Sequence, residues 1–187
     1  MVEINIEKEL ENGMNNLSEN WIILLETCVE NALEVSMKSV KFFVERGMSA
    51  VVLSSNRPYT NLLDIYKKNG IDVEKVIILD GVSRGKNNGG NKNVVFLDNL
   101  NDLTDISIIL NETLQKLKGK KSFLLIDSIT SMLIYNDPRV FAKFIHSVLV
   151  KMRINNENGI LFSLEDETKK EIRAEIAQLC DRVIKIG

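Results

Sequence analysis

Two cysteines, two prolines, one histidine and one tryptophan in 187 residues exclude several classes of protein at once. Cys28 and Cys180 are too few for a disulfide framework and read as buried thiols of a reducing compartment. With His146 as the single histidine and no close cysteine pair, there is no set of zinc-type ligands. No apolar run approaches the roughly 20 residues that a membrane-spanning helix requires. The amino terminus carries Glu3, Glu7, Lys8 and Glu9 where a secretory leader needs a basic start and then an apolar stretch, so a cytoplasmic protein is expected. Charge of one sign is lacking too: 24 basic against 26 acidic side chains leave a net charge of -2. That balance provides no broad field for nucleic acid or an acidic membrane, and neither partner is indicated.

What is present is apolar and regularly spaced. At 44% hydrophobic content the chain can bury one substantial core, which predicts a single domain over residues 1–187 with residues 1–20 as a lead-in. Short continuous apolar runs at Trp21–Glu26, Ala50–Ser55, Val76–Asp80, Val94–Asp98, Phe123–Asp127, Gly159–Leu164 and Arg182–Ile186 read as strands. Between them lie stripes at helical spacing. Val29, Leu33, Ser36, Val40, Phe43 and Val44 form one that stops at Gly47; Leu62, Leu63 and Tyr66 form a short one that stops at Gly70. Leu103, Ile106, Leu110, Leu114 and Leu117 run to Gly119, and Asp137 followed by Pro138 starts a further helix. Ile172, Ile176 and Leu179 mark one face of a last, charged helix. Buried strands alternating with amphipathic helices predict an α/β fold, a three-layer and mostly parallel sheet flanked by helices. The polar stretch Gly81–Asn93 reads as a mobile loop.

Within that pattern the run Phe123–Tyr135, FLLIDSITSMLIY, carries the chemical signal. The carboxyl ends of parallel strands form the ligand-facing crevice, so Asp127 and Ser128 stand where a magnesium nucleotide binds in such folds. LLIDSITSML resembles the Walker B strand of the RecA superfamily, especially its RadA-like and KaiC-like ATPases. The segments SSNRPYTNLLDIYKKNGIDVEKVIILDGVS and LCDRVIKI are similar to further parts of the same family. The resemblance spans residues 10 to 187 and implies a P-loop NTPase-type domain. Asp127 would then hold magnesium through water, Ser128 would lie near the outer phosphate, and protein contacts would be made with copies of the chain or with active relatives.

The departures from the family pattern matter as much. A phosphate loop needs glycines that turn successive amides inward, a lysine on the outer phosphates and a hydroxyl on magnesium. The corresponding stretch, Glu26–Leu33, has no glycine and no lysine, so the Walker A motif is degenerate. It places Glu26 and Glu30 where phosphate oxygens would lie, and two like charges about 4 Å apart repel by roughly 4 kcal/mol at an effective dielectric near 20. The family's water-polarising glutamate after the second strand is replaced by Ser54, Ser55 and Asn56, with no substitute base.

The sequence therefore predicts a catalytically inactive ATPase-fold protein that needs no cofactor and acts through protein contact. The alternative is a nucleotide-binding protein or ATPase that uses ATP and magnesium through Asp127 and a non-standard loop. Other candidate residues read more plainly. Thr130 and Ser131 are expected as loop hydroxyls, Arg57 as an exposed turn arginine or a contact for an anion or neighbouring subunit, and His146 as structural or solvated. Gly85, Lys86, Gly89, Gly90 and Lys92 imitate a phosphate loop, but Asn87 stands in place of its Ser or Thr and a strand rather than a helix follows. Lys169–Glu175 is expected as a solvated face or a docking patch.

Overall fold

Seven parallel strands form the middle layer. The computed structural model describes residues 4–83, 91–165 and 170–187. It aligns β1 (Ile22–Thr27), β2 (Ser49–Ser54), β3 (Val76–Asp80), β4 (Val94–Phe96), β5 (Ser122–Asp127), β6 (Asn158–Leu164) and β7 (Arg182–Ile186). Their order across the sheet is β4-β3-β2-β5-β6-β1-β7, and every neighbouring pair is parallel. Side chains alternate between the two faces along each strand, as the two-residue strand period requires. Ile23 and Leu25 of β1, Val52 of β2, Ile78 of β3 and Leu125 of β5 face α1 (Ile6–Met14), α2 (Ala32–Glu45) and α3 (Tyr59–Lys68). Ile22, Leu24, Val51, Leu124 and Ile126 face α4 (Leu103–Lys116), α5 (Ile129–Tyr135), α6 (Pro138–Asn155) and α7 (Lys170–Leu179). Both faces are thus covered, and the α/β three-layer fold read from the sequence is the one observed.

Local signals placed most helix ends. Gly47, Gly70 and Gly119 take φ of 85°, 73° and 84°, left-handed values that glycine adopts without a Cβ penalty. Asp137 caps α6 by accepting the amides of Arg139 and Val140 at 2.9 and 3.1 Å, with Pro138 opening the helix. No helix among the described residues is long and apolar enough to cross a membrane. Residues 84–90 of the expected loop, with Gly85, Lys86, Asn87, Gly89 and Gly90, lie outside the described residues, as does Lys169.

Three elements differ from expectation. The lead-in contains α1, whose amino end is capped by Asn5 and whose Ile6 and Leu10 are buried against the sheet. Arg182 secures its far end by donating to the carbonyls of Gly13 and Asn15, each at 2.8 Å. Nine residues with only two buried positions carry too short a stripe to stand out among acidic neighbours. Thr130 and Ser131 belong to α5 and not to a loop, and β4 ends at Phe96, two residues before the expected Asp98.

Glu26 has a different role from the one its position implied. The strand period turns it to the same face as Ile22 and Leu24, where α7 lies, and it is fully buried. Arg173 of α7 meets it with one edge of the guanidinium, Nη2 donating to Oε2 at 2.6 Å and Nε to Oε1. Breaking such a pair leaves an uncompensated buried charge, which costs more than replacing both partners with apolar groups. Arg173→Met should lower unfolding free energy by about 3 kcal/mol, and Glu26→Leu in the same chain should recover most of that loss. Urea unfolding of the two single variants and the double variant measures the coupling, and additive losses would contradict it.

Candidate functional site

The site lies along the carboxyl edge of the sheet, where parallel register lines up the last residues of adjacent strands. Ser54 pairs with both Asp80 and Asp127 across β3, β2 and β5. All three point toward the face covered by α1 to α3, two residues beyond Val52, Ile78 and Leu125. Thr27 ends β1 on that face also, separated from β5 by β6.

The connection from β1 to α2 is short and closed. Cys28 is extended, Val29–Asn31 form one 3₁₀ turn, and α2 starts at Ala32. The amides of Asn31 and Ala32 turn back onto the carbonyls of Cys28 and Val29, the first at 3.3 Å. The Glu30 carboxyl is held below its ordinary range by its own backbone amide and by the Cys28 thiol. A negative side chain thus sits where the amino end of a helix would attract an external anion. Of the two acids expected at the phosphate position, only Glu30 is there, since Glu26 is paired with Arg173 on the opposite face. The hydroxyl of Thr27 is buried and has no hydrogen-bond partner among the described residues.

Asp127 is half-buried, and Ser36 Oγ of α2 donates to its Oδ2 at 2.6 Å. In phosphate-loop enzymes a helix hydroxyl and the strand acid hold magnesium between them. Here the two groups bond directly to each other. Burial pushes the Asp127 carboxyl above its ordinary value of 3.8, opposed first by the Ser36 hydroxyl and then by the charge of Arg57. Tyr66 of α3 is buried behind it, its hydroxyl without a partner among the described residues. Burial pushes that phenol upward, and the charge of Asp127 adds to the shift.

Nearby hydroxyls are committed to the backbone. Ser55 binds the Asp127 carbonyl through its amide at 2.9 Å and its hydroxyl at 3.0 Å, while Ser128 N donates to Ser55 Oγ at 3.0 Å. This contact ties the end of β2 to the Asp127–Ser128 peptide, which is cis. Ser128 is buried, and its hydroxyl caps α5 by accepting the Ser131 amide at 3.2 Å. The end of β2 carries a hydroxyl in place of a carboxylate, and this Ser54 Oγ donates to the Arg57 carbonyl at 2.7 Å. Asp80 accepts the amides of Tyr59, Val82 and Ser83, which anchors the start of α3 and the following bend. Thr130 Oγ1 accepts the amide of Leu164 at the end of β6.

The remaining candidates lie elsewhere. His146 is exposed on α6, and no group of three or more His, Cys, Asp or Glu among the described residues could hold a metal. Both cysteines are free and half-buried, less enclosed than expected, and burial pushes the Cys180 thiol up to about 12. Sequence reasoning missed Ser36 and Tyr66 as neighbours of Asp127. The available signal was a hydroxyl interrupting the apolar stripe Val29, Leu33, Ser36, Val40.

No family model matches the sequence, and no curated protein matches it. Solved structures do match. An uncharacterized protein from Pyrococcus horikoshii, crystallised in complex with an unknown peptide, is 13% identical with a TM-score of 0.75 over 98% of this chain and 84% of its own. A KaiC-like protein from Pyrococcus horikoshii OT3 is 15% identical with a TM-score of 0.58 over 86% and 69%. The flagellar accessory protein FlaH from Methanocaldococcus jannaschii is 11% identical with a TM-score of 0.61 over 95% and 76%. The chain shares its fold with these structures, one of which is a KaiC-like protein.

A carboxyl whose folded value is raised destabilises the fold when ionised, and that penalty disappears as pH falls toward the ordinary value. Asp127→Asn keeps an acceptor for Ser36 and removes the charge. The variant should melt at a higher temperature than the parent at pH 7.5, and the gain should shrink as pH falls toward 3.8. Thermal melts between pH 3.5 and pH 8 measure this, and a loss that grows as pH rises would show instead that the ionised acid stabilises the fold.

Proposed function

We propose that this chain is a catalytically inactive RecA/KaiC-like protein that works through protein contact, with copies of itself or an active relative as partner. The single observation that carries the reading is the turn between β1 and α2. The amides of Asn31 and Ala32 close on carbonyls of the turn and the Glu30 carboxylate occupies the helix amino end, so a triphosphate meets negative charge instead of a cradle. The residues present do not fit magnesium nucleotide. There is no lysine between Cys28 and Glu34, Ser36 and Asp127 are bonded to each other, and the hydroxyls at the end of β2 are committed to the backbone. A role in contact is also consistent with the unknown peptide bound by the uncharacterized Pyrococcus horikoshii protein of this fold.

The second reading is a nucleotide-binding protein or ATPase with a non-standard phosphate loop and Asp127 as the magnesium acid. One observation favours it: a helix hydroxyl and the strand acid remain adjacent, as a magnesium site requires. Ligand-induced thermal shifts separate the two, because a ligand that binds only the folded state raises stability in proportion to the logarithm of its excess over Kd. The inactive reading expects a flat melting temperature up to millimolar magnesium ATP or ADP, and ATP turnover equal to that of Asp127→Ala. A saturable shift, or turnover abolished by Asp127→Ala, would establish the second reading instead.

A further inference from the structure

A groove of about 520 Å³ runs between α6 and α7, on the helical layer away from Asp127. Its floor is apolar, made by Ala142, Ile176 and Leu179. Arg139, Lys143 and His146 form one wall, spaced at i, i+4 and i+7 so that they line a single side of α6. None of the three makes an ion pair or side-chain hydrogen bond with another described residue. Glu175 is the only acid lining the groove among the described residues, and it too is unpaired. On a chain whose net charge is -2, Arg139 and Lys143 against Glu175 leave a local excess of positive charge.

We infer that the groove between α6 and α7 docks an acidic amphipathic helix from a partner protein. This rests on the protein-contact reading above and gives that reading a surface and a partner chemistry. Two helices lying side by side leave a furrow that accepts the apolar stripe of a third, and the stripe repeats at i, i+3, i+4 and i+7. Carboxylates one turn apart on the incoming helix match Arg139 and Lys143, which are themselves one turn apart. The apolar floor supplies affinity, while the unpaired cations set orientation and exclude basic partners.

The test uses the full chain, labelled with ¹⁵N, and a 14-residue helical peptide with leucines at the stripe positions and glutamates beside them. Amide shifts should concentrate at the groove face of α6 and α7. Arg139→Glu combined with Lys143→Glu should weaken binding at least roughly tenfold without lowering the melting temperature, because both side chains are exposed and unpaired. A peptide with lysines in place of the glutamates should bind the reversed variant better than the parent. No shifts at millimolar peptide, shifts confined to another face, or equal binding of both peptides would overturn the inference. So would binding to phosphatidylglycerol-containing vesicles in place of the peptide, which would make this face a membrane contact. Failure here leaves the response to magnesium ATP untouched, so loss of this inference and loss of the inactive reading are distinguishable.

Discussion

The hydrogen bond from Ser36 to Asp127 is the constraint on which the crevice depends. It joins the first long helix to the middle of the sheet at the edge where related folds hold an ion, and it uses the two groups such an ion would need. With one hydroxyl donor among the described residues and the charge of Arg57 as the other favourable influence, the carboxylate is incompletely compensated, and burial pushes it upward. The hydroxyls of Thr27 and Tyr66, without partners among the described residues, lie on the same face of the sheet. This edge is therefore polar and poorly satisfied, whereas buried polar atoms in most interiors find partners.

Around that edge, structural duties have taken over most side chains that could do chemistry. Ser55 and Ser128 hold β2, β5 and α5 together, Asp80 gathers three amides, and Thr130 holds the end of β6. Glu30 neutralises the helix end that would otherwise draw an anion. On the opposite helical layer, Arg139 and Lys143 of α6 stand beside an apolar furrow.

Much of the architecture was legible from residue order alone. Continuous apolar runs bounded by polar turns located all seven strands to within a residue or two. Gly47, Gly70 and Gly119 marked helix ends, and Asp137-Pro138 marked a helix start. These signals are local, because a strand buried on both faces needs every position apolar and a left-handed helix end needs glycine. Two helices escaped notice for equally local reasons. The stripe of α1 buries only Ile6 and Leu10, and α5 spans seven residues directly after a strand, where its hydroxyls looked like loop chemistry.

The sequence by itself determined the three-layer arrangement, the absence of glycine and lysine from the turn after β1, and the placement of Asp127 at a strand end. Only the tertiary structure decided which groups meet there. Ser36 reaches Asp127 across 91 positions, and Arg173 reaches Glu26 across 147, turning an acid assigned to the crevice into a buried pair on the other face. Periodicity reports which side of an element is apolar, but the partner of a polar side chain depends on how separate elements pack. No single segment contains that information.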